Sequence, residues 1–195
     1  IGPEEANQFL RSSQSWQLEP RQSVCYLAYL YSHHGDVDAA EQILCEAESS
    51  GLQLDAIDWS VWGSVLLRKA LRQVGPRGDT LVFGSGPANM DFYYLRKATE
   101  CYEKSYSWFR KRGFPAVSRE TVINYAIVLR LLGKLEHGVQ VCQFYLDDNP
   151  EDPHAHGALA GCLMASDRAR DAVPHAQKAF ELEPDSSLAF TNLAL

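Results

Sequence analysis

The cysteines and histidines are the residues of this chain whose spacing could indicate chemistry. Nucleophilic catalysis needs a thiol or hydroxyl activated by a neighbouring base, but the five cysteines lie within apolar helical patterns and show no triad signature. A zinc site needs about four well-placed ligands, and the close pairs His33 with His34 and His154 with His156 occur without a Cys-x-x-Cys or His-Glu-x-x-His motif. We therefore predict that the chain is not an enzyme and has no catalytic residue, bound metal or cofactor.

Three further motifs lack the context that their chemistry requires. Arg77-Gly78-Asp79 spells the integrin-binding tripeptide, which we interpret as coincidence in a chain with widely spaced cysteines. The run around Gly84 has no third glycine and no strand-turn-helix context, so it does not complete a dinucleotide-binding fingerprint. The acidic run at 147–152 lacks the spacing and the glycine of an EF-hand calcium loop. We interpret all three as connecting segments.

The composition describes a globular chain with an acidic balance. Its 195 residues carry a formal net charge of −7, from 25 acidic and 18 basic residues. This balance argues against a general nucleic-acid binder, because such proteins neutralise phosphates with Lys and Arg. No apolar run reaches the roughly 20 residues that span a bilayer, so we predict no membrane insertion. The odd, widely spaced set of five cysteines predicts reduced thiols and an intracellular, cytoplasmic location.

A repeat of about 34 residues organises the second half of the chain. Pro150 and Pro184 are separated by this interval, and each follows a short acidic, amphipathic stretch. At the same offset Gly138 matches Ala172, and the segment 124–126 matches 158–160. A proline after an amphipathic stretch indicates a helix end, and recurring small residues indicate that two helices approach each other closely.

This pattern resembles the tetratricopeptide repeat. In that family each repeat is a pair of antiparallel helices, and the small residues occupy the point where the two helices cross. The resemblance implies an all-α fold, a right-handed α-α superhelix built from helix hairpins. It also implies a non-catalytic protein-protein interaction scaffold or adaptor, because the first helices of successive repeats line a concave, peptide-binding groove in this family.

The resemblance divides the chain into repeats. Residues 1–20 are predicted to form an N-terminal capping helix. Residues 187–195 are predicted to begin a truncated repeat, so we expect further repeats beyond Leu195 and interpret the chain as part of a longer protein. The small site of the second repeat is displaced by about 23 residues, to Ala98, which predicts an inserted loop at about 75–90. Ser118 is predicted to cap the helix that follows it. The repeats are predicted at 21–54, 55–118, 119–152 and 153–186.

The family's groove positions fall on the first helix of each repeat. Most of them are apolar or small here, which favours an apolar peptide or an amphipathic helix as the bound partner. The side-chain amides of Asn124 and Asn192 could hold a peptide backbone or could serve the packing of the repeats, and the sequence leaves both interpretations open. The resemblance places these residues in the groove: Tyr26, Tyr29, His33, Ile57, Val61, Leu67, Arg68, Ile123, Asn124, Ile127, Arg130, Leu131, His154, Met164 and Asn192.

A chaperone tail is not predicted as the ligand. Members of this family that bind the C-terminal tails of Hsp70 or Hsp90 hold the terminal carboxylate with Lys, Asn and Arg residues on successive first helices. With Asn124 as the middle residue of such a clamp, this chain has Ser60, Ser64, His154 and Ala158 at the flanking positions. In the alternative register two of the flanking positions are glycines. The clamp is therefore absent from the sequence.

Two alternatives remain open. The first repeat also resembles a pentatricopeptide repeat, through Gly35-Asp36 and the ending Gly51-Leu-Gln-Leu-Asp55, and that family binds RNA. Only this repeat shows the pattern, whereas RNA reading needs several repeats in series, and the acidic balance opposes it. The chain could also be the regulatory or docking region of a larger enzyme.

Overall fold

The computed structural model describes residues 20–33, 35–71, 90–115 and 118–184. Within these ranges the chain forms eight α-helices and no strand. The predicted capping helix, the predicted insert and the segment 187–195 lie outside the described residues, apart from Pro20 and Met90. The helices are α1 (Pro20–His33), α2 (Val37–Ser49), α3 (Ala56–Leu71), α4 (Phe92–Arg110), α5 (Arg119–Leu131), α6 (Leu135–Asp148), α7 (Pro153–Ala165) and α8 (Ala169–Leu182).

Consecutive helices form four pairs, α1 with α2, α3 with α4, α5 with α6 and α7 with α8. Successive pairs contact each other through the second helix of one pair and the first helix of the next. The first helices also contact one another, α1 with α3, α3 with α5 and α5 with α7. They therefore form one continuous layer, which is the layer that lines the groove in a solenoid of helix pairs.

Small residues let the two helices of each pair approach closely. Each pair has a buried small residue on its first helix and another on its second, and the sequence interval between the two is the same in three pairs and longer in the second pair. The longer interval of the second pair agrees with the displaced small site that the sequence shows. These residues are Ala28, Gly63, Ala126 and Ala160 on the first helices and Ala40, Ala98, Gly138 and Ala172 on the second.

Aspartate side chains cap four of the helices. Asp36, Asp55, Asp91 and Asp152 each accept a hydrogen bond from a backbone amide in the first turn of the following helix. Ser118 does not act in this way, contrary to the prediction. Its backbone is already helical, with φ −80° and ψ −7°, whereas a capping residue needs an extended conformation to reach the amides. Its hydroxyl instead donates to the carbonyl oxygen of Pro115, 2.7 Å away.

A cluster of aromatic rings joins the second helix pair to the third. The ring centroids of Tyr102 and Tyr106 on α4 lie 6.3 and 5.7 Å from that of Tyr125 on α5. Phe114 contacts Tyr106 and continues the cluster to Tyr145 on α6. Tyr102, Tyr125 and Tyr145 are fully buried, and burial raises the pKa of Tyr106 to about 12. This uncharged cluster packs α5 and α6 against α4.

Two histidines contact each other between the helices of the last pair. His156 on α7 and His175 on α8 stack with their ring centroids 5.2 Å apart, and their Nδ1 atoms are 3.0 Å apart. Nε2 of His156 lies 2.9 Å from the carbonyl oxygen of Pro150, which only accepts, so Nε2 carries the proton. Nδ1 of His156 then accepts from Nδ1 of His175.

Acid should destabilise the last helix pair through His175. Burial, and secondly a charge on His156, lower the pKa of His175 below its usual value, against the opposing effect of Asp171. As the pH falls from about 6.5, the unfolded chain takes up this proton first, so the free energy of unfolding decreases with the pH. Between pH 7 and 5, urea unfolding should show a smaller loss of stability in His175→Gln than in the unsubstituted chain. His137→Gln, at an exposed histidine, is the control, and an equal loss in all three chains would contradict the prediction.

Candidate functional site

A cleft of about 410 Å³ opens between α1 and α3, on the layer formed by the first helices. The start of α5 and Phe109 of α4 line the cleft where α3 begins, because Thr121 on α5 hydrogen-bonds Ser60 in the second turn of α3. The lining residues are Cys25, Tyr26, Tyr29, Ser32, His33, Asp55, Ile57, Asp58, Ser60, Val61, Ser64, Val65, Arg68, Phe109, Glu120 and Thr121.

Large apolar side chains stand exposed at this cleft. Tyr26 is 48% exposed, Tyr29 40% and Ile57 47%. Together with the partly buried Val61 they form an apolar wall on α1 and on the first turns of α3. A group of exposed apolar side chains around a concave surface is typical of an interaction site.

Two serines of α3, Ser60 and Ser64, contribute uncharged polar groups to the cleft. Thr121 Oγ1 donates to Ser60 Oγ at 2.7 Å. Asn124 Nδ2 donates to Ser64 Oγ at 3.4 Å, and the hydroxyl of Tyr102 lies 3.0 Å from the same atom. These hydrogen bonds join both serines of α3 to residues of α4 and α5 and so fix their side-chain positions. Ser60 accepts through its oxygen and keeps its own hydroxyl hydrogen for a second hydrogen bond. Ser64 has the same capacity when the Tyr102 hydroxyl is the donor in the bond that they share.

Charge is distributed unevenly along the cleft. Asp55 accepts hydrogen bonds from two backbone amides in the first turn of α3, at 2.8 and 3.1 Å, and Asp58 accepts from the amide of Asp55 at 2.8 Å. Glu120, in the first turn of α5, adds a third carboxylate at this end. Arg68 and His33 lie in the last turns of α3 and α1. The cleft therefore has carboxylates at one end and a guanidinium and an imidazole at the other.

The structure brings part of the predicted groove together. Leu67 does not contribute: it is 7% exposed and belongs to the core. The reason is that α3 packs against α1, α2, α4 and α5, so most of its circumference is buried. The predicted residues that line the cleft are Tyr26, Tyr29, His33, Ile57, Val61 and Arg68.

The other predicted groove residues do not line this cleft. Asn192 lies outside the described residues. Asn124 hydrogen-bonds Ser64 and so joins α5 to α3, which is the packing role that the sequence left open. Nε2 of His154 lies 3.3 Å from Oε2 of Glu183. The partly buried residues farther along the same layer are Ile123, Asn124, Ile127, Arg130 and Leu131 on α5 and His154 and Met164 on α7.

Sequence reasoning missed the residues that reach the cleft from α4 and α5. Phe109, Glu120 and Thr121 arrive there because the aromatic cluster packs α5 against α4, and no repeated motif marks them. Asp55 has a recognisable signal, since an aspartate directly before an amphipathic stretch is typical of a helix start. Its charge therefore could have been placed at this end of the cleft from the sequence.

Three of the five cysteines are buried. In the described ranges, no group of three or more His, Cys, Asp or Glu side chains is arranged to hold a metal ion. Burial raises the pKa of Cys101 to about 12, so this thiol stays protonated at neutral pH and is a poor nucleophile. No helix in the described ranges has the length and apolarity needed to cross a membrane.

Comparison with known proteins identifies the fold. No protein-family model and no curated protein matches this chain. Solved structures do match. TTC0263, a thermophilic TPR protein of Thermus thermophilus, has a TM-score of 0.66 and 17% identity, covering 97% of this chain and 89% of that one. YrrB, described as a TPR protein with an unusual peptide-binding site, has a TM-score of 0.62 and 14% identity, covering 98% and 85%. The MamA RS-1 ArsTM double mutant has a TM-score of 0.64 and 18% identity, covering 95% and 87%.

The fold is that of the tetratricopeptide repeat, an all-α, right-handed superhelix of helix hairpins. This confirms the resemblance drawn from the spacing of Pro150 and Pro184 and from the small residues at matching offsets. At these identities the similarity concerns the fold, and the function has to be argued from the cleft.

Proposed function

We propose that this protein is a non-catalytic interaction scaffold that binds a peptide segment of another protein in the cleft between α1 and α3. The observation that carries the proposal is the exposure of Tyr26, Tyr29 and Ile57 around a concave surface of about 410 Å³. Removing apolar surface from water is favourable by about 25 cal/mol per Å². A partner that covers these side chains therefore lowers the free energy of the system.

Two further observations support a protein partner. YrrB, one of the similar structures, is described as having an unusual peptide-binding site. In addition, three carboxylates, those of Asp55, Asp58 and Glu120, line the cleft, and they would repel the phosphate backbone of RNA. Charge thus favours a peptide over the RNA alternative at this surface.

The same proposal assigns the four helix pairs to four repeats, at 21–54, 55–118, 119–152 and 153–186. Each pair begins and ends inside one of these ranges, apart from Pro20. In this assignment the cleft lies between the first helices of the first two repeats.

Substitution of Ile57 by glutamate should weaken peptide binding about tenfold. The change replaces a half-exposed apolar contact with a charge beside the carboxylates of Asp55, Asp58 and Glu120. Binders would be selected from a random seven-residue phage library, and their dissociation constants measured by fluorescence anisotropy. Val173→Glu is the matched control, because Val173 is 50% exposed on α8.

The proposal fails if the library yields no binder. It also fails if Ile57→Glu lowers the affinity for the peptide no more than Val173→Glu does. Micromolar binding of an RNA oligonucleotide pool in the absence of any peptide binder would favour the RNA alternative. Both variants change exposed positions, so thermal unfolding should show that they keep the fold.

A further inference from the structure

The residues that line the cleft are acidic and apolar at the start of α3 and basic at the end of α3. Ile57 and Arg68 are 11 residues apart in α3, which corresponds to about 16 Å at 1.5 Å per residue. An extended peptide covers that distance with about five residues, at roughly 3.3 Å each. A short linear segment can therefore reach both ends of the cleft at once.

The serines on α3 match the backbone of such a segment. Ser60 and Ser64 both line the cleft and are four residues apart, which places them about 6 Å apart along the helix axis. Alternate carbonyl groups on one side of an extended chain recur at intervals of roughly 6.6 Å, twice the rise per residue of a strand. The spacing of the two hydroxyl groups thus fits the carbonyl oxygens of residues i and i+2.

We infer that the cleft takes an extended peptide whose alternate carbonyl oxygens accept from Ser60 and Ser64, with an apolar side chain between a basic and an acidic residue. The apolar side chain packs between α1 and α3, against Tyr26, Tyr29 and Ile57. The basic side chain lies at the end where Glu120 stands, and the acidic one lies beside Arg68. This inference rests on the proposed function and specifies its ligand.

An amphipathic helix fits this surface less well. Most carbonyl groups of a helix already accept a hydrogen bond within the helix, so they are poorer acceptors for Ser60 and Ser64 than the carbonyl groups of an extended chain. A helix in a groove also needs an apolar stripe at its i, i+3, i+4 and i+7 positions. The exposed apolar residues here lie on α1 and at the start of α3, whereas Ser60 and Ser64 are the residues of α3 that offer hydroxyl groups to the cleft.

Five nine-residue fluorescent peptides test the charge pattern. Each has a central leucine, and the positions two residues before and after it carry lysine then aspartate, aspartate then lysine, two lysines, two aspartates, or two alanines. Each exposed ion pair contributes a modest binding free energy. The two pairs together should make one of the two mixed peptides bind at least fivefold more tightly than the alanine peptide. Raising the salt to about 0.3 M should reduce this advantage. A stapled helical peptide with leucines at i, i+4 and i+7 is measured alongside.

The outcomes separate the inference from the proposed function. If the stapled helix binds most tightly, or if all five extended peptides bind within twofold of one another, the inferred ligand is wrong and peptide binding itself stands. If no peptide binds, both the inference and the proposed function are overturned.

Charge reversal at Arg68 identifies the basic end of the cleft. Arg68→Glu should weaken the preferred mixed peptide about fivefold and shift the preference to the peptide with two lysines. Arg96→Glu makes the same charge change at an exposed residue of α4 outside the cleft. An equal effect of the two variants would show that only the net charge of the protein matters, and would overturn the assignment.

Removal of the hydroxyl groups tests the backbone contacts. Ser60→Ala and Ser64→Ala should each weaken the mixed peptide about fivefold, the usual effect of one lost hydrogen bond. Ser107→Ala, at an exposed serine of α4, is the control. Unchanged affinity in both cleft variants, with unchanged melting temperatures, would exclude the extended backbone register.

Discussion

Replacing Gly63 by alanine should lower the free energy of unfolding by about 2 kcal/mol, although Gly→Ala inside a helix normally raises it by up to about 1 kcal/mol. A Cβ at this position would lie 2.7 Å from Cε1 of Tyr102 and 2.8 Å from Cδ1 and Cζ. The ring cannot retreat, because it is fully buried and its hydroxyl lies 3.0 Å from Ser64 Oγ. Urea unfolding followed by circular dichroism gives the free energies, and a stabilised variant would show that this close approach is wrong.

A double-mutant cycle attributes the effect to this contact. Tyr102→Leu shortens the side chain and should itself be destabilising, because the ring packs beside Tyr125. In the presence of Tyr102→Leu, however, Gly63→Ala should cost clearly less than it does alone, with a coupling energy of about 1 kcal/mol for residues in contact. Additive effects would mean that the alanine methyl group is accommodated by some other movement.

The fold could be predicted from the sequence because the repeat leaves a local, countable signature. The close approach of two helices demands a small residue, and that demand recurs one repeat apart at Gly138 and Ala172. The displaced small site at Ala98 was recognisable for the same reason. Ser118 shows the limit of local reasoning, because its identity suits a helix cap while its backbone conformation prevents capping.

The candidate site could be predicted only in part, because groove positions were assigned by offset within each repeat. The offset assigned Tyr29 and Ile57 to the groove, and both line the cleft. It also assigned Leu67, which is buried because four neighbouring helices surround α3. The contributions of Phe109 and Glu120 depend on how α4 and α5 pack, and this follows from ring contacts between residues distant in sequence.

The histidines of α7 also have contacts that the local sequence does not indicate. His154 and His156 are neighbours in sequence, but residues two apart on a helix do not face each other. The structure accordingly separates them. His154 approaches Glu183, whereas His156 contacts His175 on the next helix. Closeness in sequence therefore does not indicate contact here, and the partner of His156 lies 19 residues away.

The largest loss of stability is expected from Ala172→Trp. Ala172 is 1% exposed on α8 and occupies the small-residue position that Gly138 holds in the preceding pair. An indole there must force α7 and α8 apart, and overpacking of this size should cost about 3 kcal/mol or more. Ala169→Trp makes the same change at an exposed residue of the same helix and should leave the unfolding curve nearly unchanged. If the two variants unfold alike, Ala172 is not at a helix crossing and the register of the last repeat is wrong.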